Sequence, residues 1–337
     1  MHQPSTDQGG RHSHSAAGGH AGRMHVDATF PMALRGRPFR VREALHRGVS
    51  VGRLRSRAFL RPFHGIRAWT GPQTHDERAR AVQPRLRPDQ AFSHTTAAAI
   101  LGFPLPRRLE RDPRVHVTTI GTDQALRVRG TIGHRARRGR LRVVHSGTAA
   151  LTHPADTFVA LATLLSRDEL VVVGDAIIGW LGWCDHAELV AAARRYRGAR
   201  GIRRVRAALA EMRPGSRSPG ETRLRLALTR RGLPQPALNH DVVADGRWVA
   251  CVDLAYPDAR VAIEYESDLH RTDDRTFRKD ITRGEHLKEA GWWLLRATAD
   301  DVGPAIEALV ARVRRLLDGV STGRHDPRPT RRPASSR

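Results

Sequence analysis

The chain has 337 residues, 39% hydrophobic and 27% charged, enough apolar surface for two or three folded units. Its formal net charge is +24, and its two cysteines, Cys184 and Cys251, lie far apart, which excludes a disulfide scaffold and a Cys-rich zinc finger. Such sparse cysteine fits a reducing cytoplasm. We expect no signal peptide and no membrane span, because the most apolar run, Leu170 to Trp183, is interrupted by Gly174 and Asp175.

The location of the charge matters more than its size. Residues 1–215 carry 36 basic and 16 acidic side chains, a net +20, whereas residues 216–318 carry 17 of each. The positive field therefore belongs to the N-terminal two-thirds, and it favours a polyanion, most simply nucleic acid. A solvated basic surface is the alternative. Residues 1–30 and 319–337 are poor in large apolar groups and are expected to be disordered tails.

From residue 31 to about 75 the pattern predicts a small helical module. Val41, Ala44 and Leu45 have helical spacing, Gly48-Val49-Ser50 is a break, and Ser50 can cap a second short helix. That helix would turn Val51, Leu54 and Ala58 inward and Arg53, Arg55 and Arg57 outward. Leu60 to Trp69 then reads as a strand pair around a tight turn. This is the order of a winged helix, whose second helix can bring those three arginines to DNA; a basic solvated helix is the alternative. Residues 76–215 read as a mixed α/β basic region. Ser93 caps an Ala-rich helix, and β-rich runs at 115–119 and 141–144 flank the Arg135–Arg140 segment. The region from 153 to 210 reads as helical, with Phe158, Leu161, Ala162 and Leu165 inward and a last helix carrying Arg194 to Arg206. Val41 to Trp69, followed by Phe92 to Gly102, resembles the N-terminal region of type IV antitoxins of the abortive-infection (AbiEi) kind. That resemblance implies a winged-helix DNA-binding module.

Pro214-Gly215-Ser216 marks the clearest boundary. Beyond it, Ser218-Pro219-Gly220-Glu221 opens a helix with Leu224 and Leu228 inside and Gly232 at its end. Glu221 occupies the third position of a capping box. Strands follow at 237–243, 248–256 and 260–266, joined by the Asp245-Gly246 and Pro257-Asp258 turns. Alternation puts Cys251 and Asp253 on one face and Val252 and Leu254 on the other. A turn at 257–260 sets Tyr256 opposite Val261, and that register sets Asp253 opposite Glu264. Opposed carboxylates repel unless a proton or cation lies between them. Oxygen ligands of this kind suit Mg2+ or Mn2+; an exposed sheet face with scattered acids is the alternative. A polar helix from 273 to 290, an apolar strand at 292–297 and a helix from 301 complete the segment.

Helix, three antiparallel strands, helix, strand, helix is the core order of a restriction-endonuclease-like PD-(D/E)XK domain, so the fold class is α/β (α+β). The residues Ser218 to Glu221, Val252 to Pro257, Val261 to Glu266, His270, Arg278 to Arg283 and Gly291 to Arg296 resemble the domain-of-unknown-function family 559, related to very-short-patch-repair endonucleases. The resemblance spans residues 216–318. It implies that Asp253, Glu264 and Glu221 are metal-binding catalytic carboxylates. Glu266 stands where the wider superfamily has lysine, and His270 is the nearest substitute for activating water. Arg278 or Arg283 would hold a phosphate, with an intrahelical ion pair as the alternative. The reading is a metal-dependent DNA endonuclease, in defence or repair, with RNA not excluded as substrate. The alternative is an antitoxin-like DNA-binding regulator whose nuclease fold is silent. Nothing reads as a dimer seam; a homodimer and an unidentified protein partner both remain open.

Overall fold

The computed structural model describes residues 30–121, 124–266 and 274–321; both tails and His270 lie outside the described residues. The chain is a mixed α/β protein. It begins with β1 (Phe39–Arg40), α1 (Val41–His46), α2 (Val51–Arg55) and β2 (Ile66–Arg67). Phe30, Phe39, Phe59 and Trp69 form its small core, with ring centroids 4.8 to 5.7 Å apart in tilted and edge-on pairs. Ser50 caps α2, its side chain accepting from the Arg53 N–H. Two expectations are corrected. α2 spans five residues and presents one position inward, so Leu54 is buried while Val51 and Ala58 are exposed. The stretch expected to fold back on itself instead gives β2 to β1, pairing Arg67 with Phe39, and keeps a single bridge between Leu60 and Ala68.

The middle of the chain builds a five-stranded sheet covered by helices. Its elements are α3 (His75–Val82), β3 (Gln90–Phe92), α4 (His94–Ile100), α5 (Arg107–Glu110), β4 (Val115–Ile120), β5 (Thr131–Ala136), β6 (Val143–Ser146) and β7 (Ala149–Thr152). Four helices follow on: α6 (Pro154–Leu161), α7 (Arg167–Ile178), α8 (His186–Arg195) and α9 (Ile202–Glu211). The strand order is β5-β4-β3-β7-β6, with β4–β5 and β3–β7 parallel and β3–β4 and β6–β7 antiparallel. Phe158, Leu161, Ala162 and Leu165 are buried, as the pattern requires. Ser93 does not cap α4 with its side chain: its Oγ is taken by Thr118 and His94. The arginine-rich stretch from 194 to 206 is two helices, because Gly198 and Gly201 take φ of +81° and +85° between them.

The C-terminal unit comprises α10 (Pro219–Thr229), β8 (Ala237–Ala244), β9 (Arg247–Tyr256), β10 (Val261–Tyr265), α11 (Asp274–Glu289), β11 (Trp293–Ala297), α12 (Ala299–Val302) and α13 (Ile306–Ser321). Its sheet runs β11-β10-β9-β8, antiparallel except for the parallel pair β10–β11. Leu224 and Leu228 of α10 and Ile306, Leu309 and Val313 of α13 pack on one face with Leu254, Val261 and Ile263. Leu287 of α11 packs on the other with Val252, Ala255 and Ala262. α10 is also tied to the middle region. Arg225, 2% exposed, meets the fully buried Asp175 of α7 at 2.7 Å, and Thr222 donates to the same carboxylate at 3.0 Å. Among the described residues no helix is long and apolar enough to cross a membrane.

Candidate functional site

Ser218 precedes α10 and accepts the Glu221 N–H at 3.2 Å, while Pro219 fills the first turn where no N–H is needed. The Glu221 carboxylate does not return to the Ser218 N–H to complete the expected box. It accepts the Arg217 N–H at 2.7 Å and the side-chain amide of Asn239 at 3.0 Å. Gly220 is required by packing: a Cβ there would overlap the ring of Tyr265 on β10. The helix start is thereby drawn against the end of β10, and Glu221 is left only 5% exposed.

Val261 pairs with Tyr256 and Ile263 with Leu254, the register expected from the turn, which ends in Arg260 at φ +49°. The next step would pair Glu264 with Asp253, but the ladder opens there. Asp253 turns its carboxylate onto the Tyr265 N–H at 2.9 Å. The partner strand is disturbed at the same level. Asn239, opposite Asp253, takes φ +45° and drops out of the β8–β9 pairing. Alternation changes phase across this point. Leu254 packs into the α10–α13 layer, yet Val252, two residues earlier, packs towards α11. The expected shared face of Val252 and Leu254 is therefore corrected: strict alternation requires regular pairing, and β8 leaves it at Asn239, opposite Asp253.

Burial raises the carboxyl pKa of both Asp253 and Glu221 above the ordinary range. The Asp253 charge raises Glu221 further, against the hydrogen bonds from Arg217 and Asn239. At Asp253 the Tyr265 N–H and the guanidiniums of Arg283 and Arg217 pull the other way. Glu264, on β10, is ion-paired with Arg283 of α11, which also donates to the Cys251 carbonyl. So Arg283, expected to meet a phosphate, here neutralises one of the expected metal ligands. Glu266 is exposed and pairs with Arg296 at 3.0 Å. The side chain of Arg278 and all of His270 lie outside the described residues. Arg53, Arg55 and Arg57 are exposed, with Arg53 over the Phe30 ring at 5.9 Å.

The donor chemistry of Asp253 and Glu221 fits a hard divalent cation. Glu264 fits it only if Arg283 moves off, since one carboxylate cannot give the same oxygen fully to both. The three carboxylates are not among the described groups that bring three ligand atoms within 4.8 Å of one another. One such group, His94, His116 and His134, was missed by sequence reasoning. The signal was a histidine in the β-rich run 115–119, another just before the Arg135–Arg140 segment and a third at a helix start.

Fold and site together define a mixed α/β protein with a basic N-terminal two-thirds and a partly buried acidic cluster in its C-terminal sheet unit. No family model matches the chain, and no solved structure matches it. The chain belongs to the family of two Mycobacterium tuberculosis proteins, Uncharacterized protein Rv2248 and Uncharacterized protein MT2308. Each is 34% identical over 226 residues, 66% of this chain and 79% of the relative.

Proposed function

We propose that the chain is a metal-dependent DNA endonuclease. In this reading residues 216–318 form a restriction-endonuclease-like domain similar to family 559, and the winged-helix-like module near residues 31–75 binds DNA. The supporting observation is the buried Glu221 beside the half-buried Asp253, set where β8, β9 and β10 all leave regular pairing. Burying Glu221 beside Asp253, whose charge raises its proton affinity, costs stability, and such sites cluster where chemistry is done. Asp253 and Glu221 would hold Mg2+ or Mn2+, with Asn239 orienting Glu221 through its amide. The cation would polarise the scissile phosphate and acidify its bound water. The chain's own part would be to limit water at the pair and to hold Arg217 beside Asp253, where its guanidinium could meet a phosphate oxygen.

A second reading, an antitoxin-like DNA-binding regulator with a silent nuclease fold, draws support from one arrangement. Arg283 supplies the positive charge at Glu264 internally, and Glu266 stands exposed where lysine is usual. Incubation of supercoiled plasmid with purified protein, with and without Mg2+ or Mn2+, separates the two. Metal-dependent nicking that disappears in Asp253→Ala supports the nuclease. DNA binding that survives in both proteins with no cleavage at any metal concentration supports the regulator.

A further inference from the structure

Three histidines that the acidic site does not use meet in the middle sheet. His116 lies on β4 and His134 on the parallel neighbour β5, where Thr118 stands opposite His134. His116 and Thr118 share a face of β4, so all three side chains rise on the same side of the sheet. His94 is the first residue of α4, placed over that face as the chain leaves β3. It takes φ +51°, a left-handed conformation that costs a residue with a Cβ about 1 kcal/mol or more. That strain brings its ring onto His134, with centroids 3.7 Å apart and planes 17° apart. His116 Nδ1 lies 3.0 Å from His134 Nε2, and one nitrogen from each of the three rings lies within 4.8 Å of the others.

We propose that His94, His116 and His134 form a binding site for one divalent transition metal ion, of which Zn2+ best fits three imidazole nitrogens. Tetrahedral zinc with bonds of about 2.0–2.1 Å holds its nitrogens roughly 3.3 Å apart. The His116–His134 separation is already close to that, and a His94 nitrogen lies within 4.8 Å of the other two ligand atoms. Metal binding would replace the His116–His134 hydrogen bond, with the proton of that contact moving to the other nitrogen of its ring. Burial lowers the basicity of all three, His116 to about 4, so each is a neutral imidazole with a lone pair at neutral pH. An outer hydrogen-bond chain is also in place. Thr118 donates to Ser93 Oγ at 2.8 Å, and Ser93 Oγ lies 3.0 Å from His94 Nδ1. With Nδ1–H donated to Ser93, the lone pair of His94 is directed from Nε2. His94 and His116 are buried and His134 is half-buried, so an ion and a fourth, solvent-derived ligand would reach the site from the His134 side.

The other three-residue group, His153, Cys184 and Glu188, lacks these features. His153 Nδ1 already accepts the Ala155 N–H, and burial pushes the Cys184 thiol up to about 11, away from the thiolate. The proposal concerns a different part of the chain from Asp253 and stands or falls separately from the nuclease reading.

The test is a titration of the chelator-treated full-length protein with Co2+ in the presence of excess Mg2+, followed by displacement with Zn2+. We expect one equivalent of Co2+ with the intense visible absorption of a tetrahedral site, abolished by Zn2+. The chain holds 18 histidines, several of them in the N-terminal tail, so variants decide the location. His116→Ala and His134→Ala should each lose the band, His153→Ala should keep it, and Ser93→Ala should weaken binding by roughly 10- to 100-fold. No tetrahedral band in the wild-type protein overturns the proposal, as does a band retained in both His116→Ala and His134→Ala. If those variants fail to fold, the wild-type protein decides: Zn2+ must raise its thermal midpoint and a chelator must reverse the rise.

Discussion

At the scale of single residues, Asp253 has a cost that titration exposes. Its folded pKa lies above the unfolded value, mainly through burial. The folded state therefore holds the proton more tightly, and stability falls as pH rises from the ordinary carboxylate range through the folded pKa. Below that range the penalty is absent. Asp253→Asn keeps an acceptor for the Tyr265 N–H and carries no charge. In metal-free buffer it should be the more stable protein at neutral pH, by ~1 kcal/mol as is common when functional strain is removed. The gain should shrink towards zero as the pH is lowered into the acid range, read as thermal midpoints across a pH series. Arg283 makes a second prediction. Its guanidinium stands at Glu264 where a cation would. Arg283→Ala should lower metal-free stability and enlarge the stabilisation by saturating Mg2+, through linkage of binding to folding. An equal Mg2+ effect in both proteins would remove Glu264 from the metal set.

At the scale of elements, α10 joins the two larger units. Its first turn carries Glu221 against the C-terminal sheet, and its middle carries Arg225 into a buried pair with Asp175 of α7. Desolvation raises the Asp175 pKa, while Arg225, the Arg213 N–H and Thr222 lower it, so the carboxylate depends on those partners. Arg225→Met should leave that charge uncompensated and cost roughly 3–5 kcal/mol, measured by urea unfolding. Because α10 also positions Glu221, the same variant should weaken any metal-dependent cleavage more than a surface Arg→Met change does.

At the scale of the whole molecule, the asymmetric charge bears on the proposed DNA binding. Some of the N-terminal arginines are committed within the fold. Arg195 and Arg142 hold Asp156, Arg204 donates to the carbonyls of Ala162 and Leu165, and Arg108 holds Glu169. Arg53, Arg55 and Arg57 face solvent together on and just beyond α2. DNA affinity should fall steeply with salt, and replacing all three by alanine should flatten the log–log slope by about 2–3 units, near 0.9 for each phosphate no longer neutralised. An unchanged slope would assign DNA binding to another surface.

The sequence by itself determined the local grammar of this protein. The Ser218-Pro219 helix start, the Asp245-Gly246 hairpin, the Tyr256–Val261 register and the order of elements from residue 216 through the last strand follow from capping, turn chemistry and periodicity, which act over a few residues, whereas the last helix expected from 301 is split into α12 and α13. Asp253, Glu264 and Glu221 were legible as candidates because acids on apolar strands and at a helix start break a pattern. Tertiary structure decided what those patterns could not carry. The phase change at Asp253 comes with the positive φ of Asn239 on the neighbouring strand, and no periodicity records that. Short strands such as β3, buried along its whole length, show no alternation to read. The pairing of Asp175 with Arg225, of Arg283 with Glu264, and of His94 with His116 and His134 joins residues far apart in the chain. Long-range side-chain meetings are fixed by sheet register and layer packing, which only the folded chain supplies.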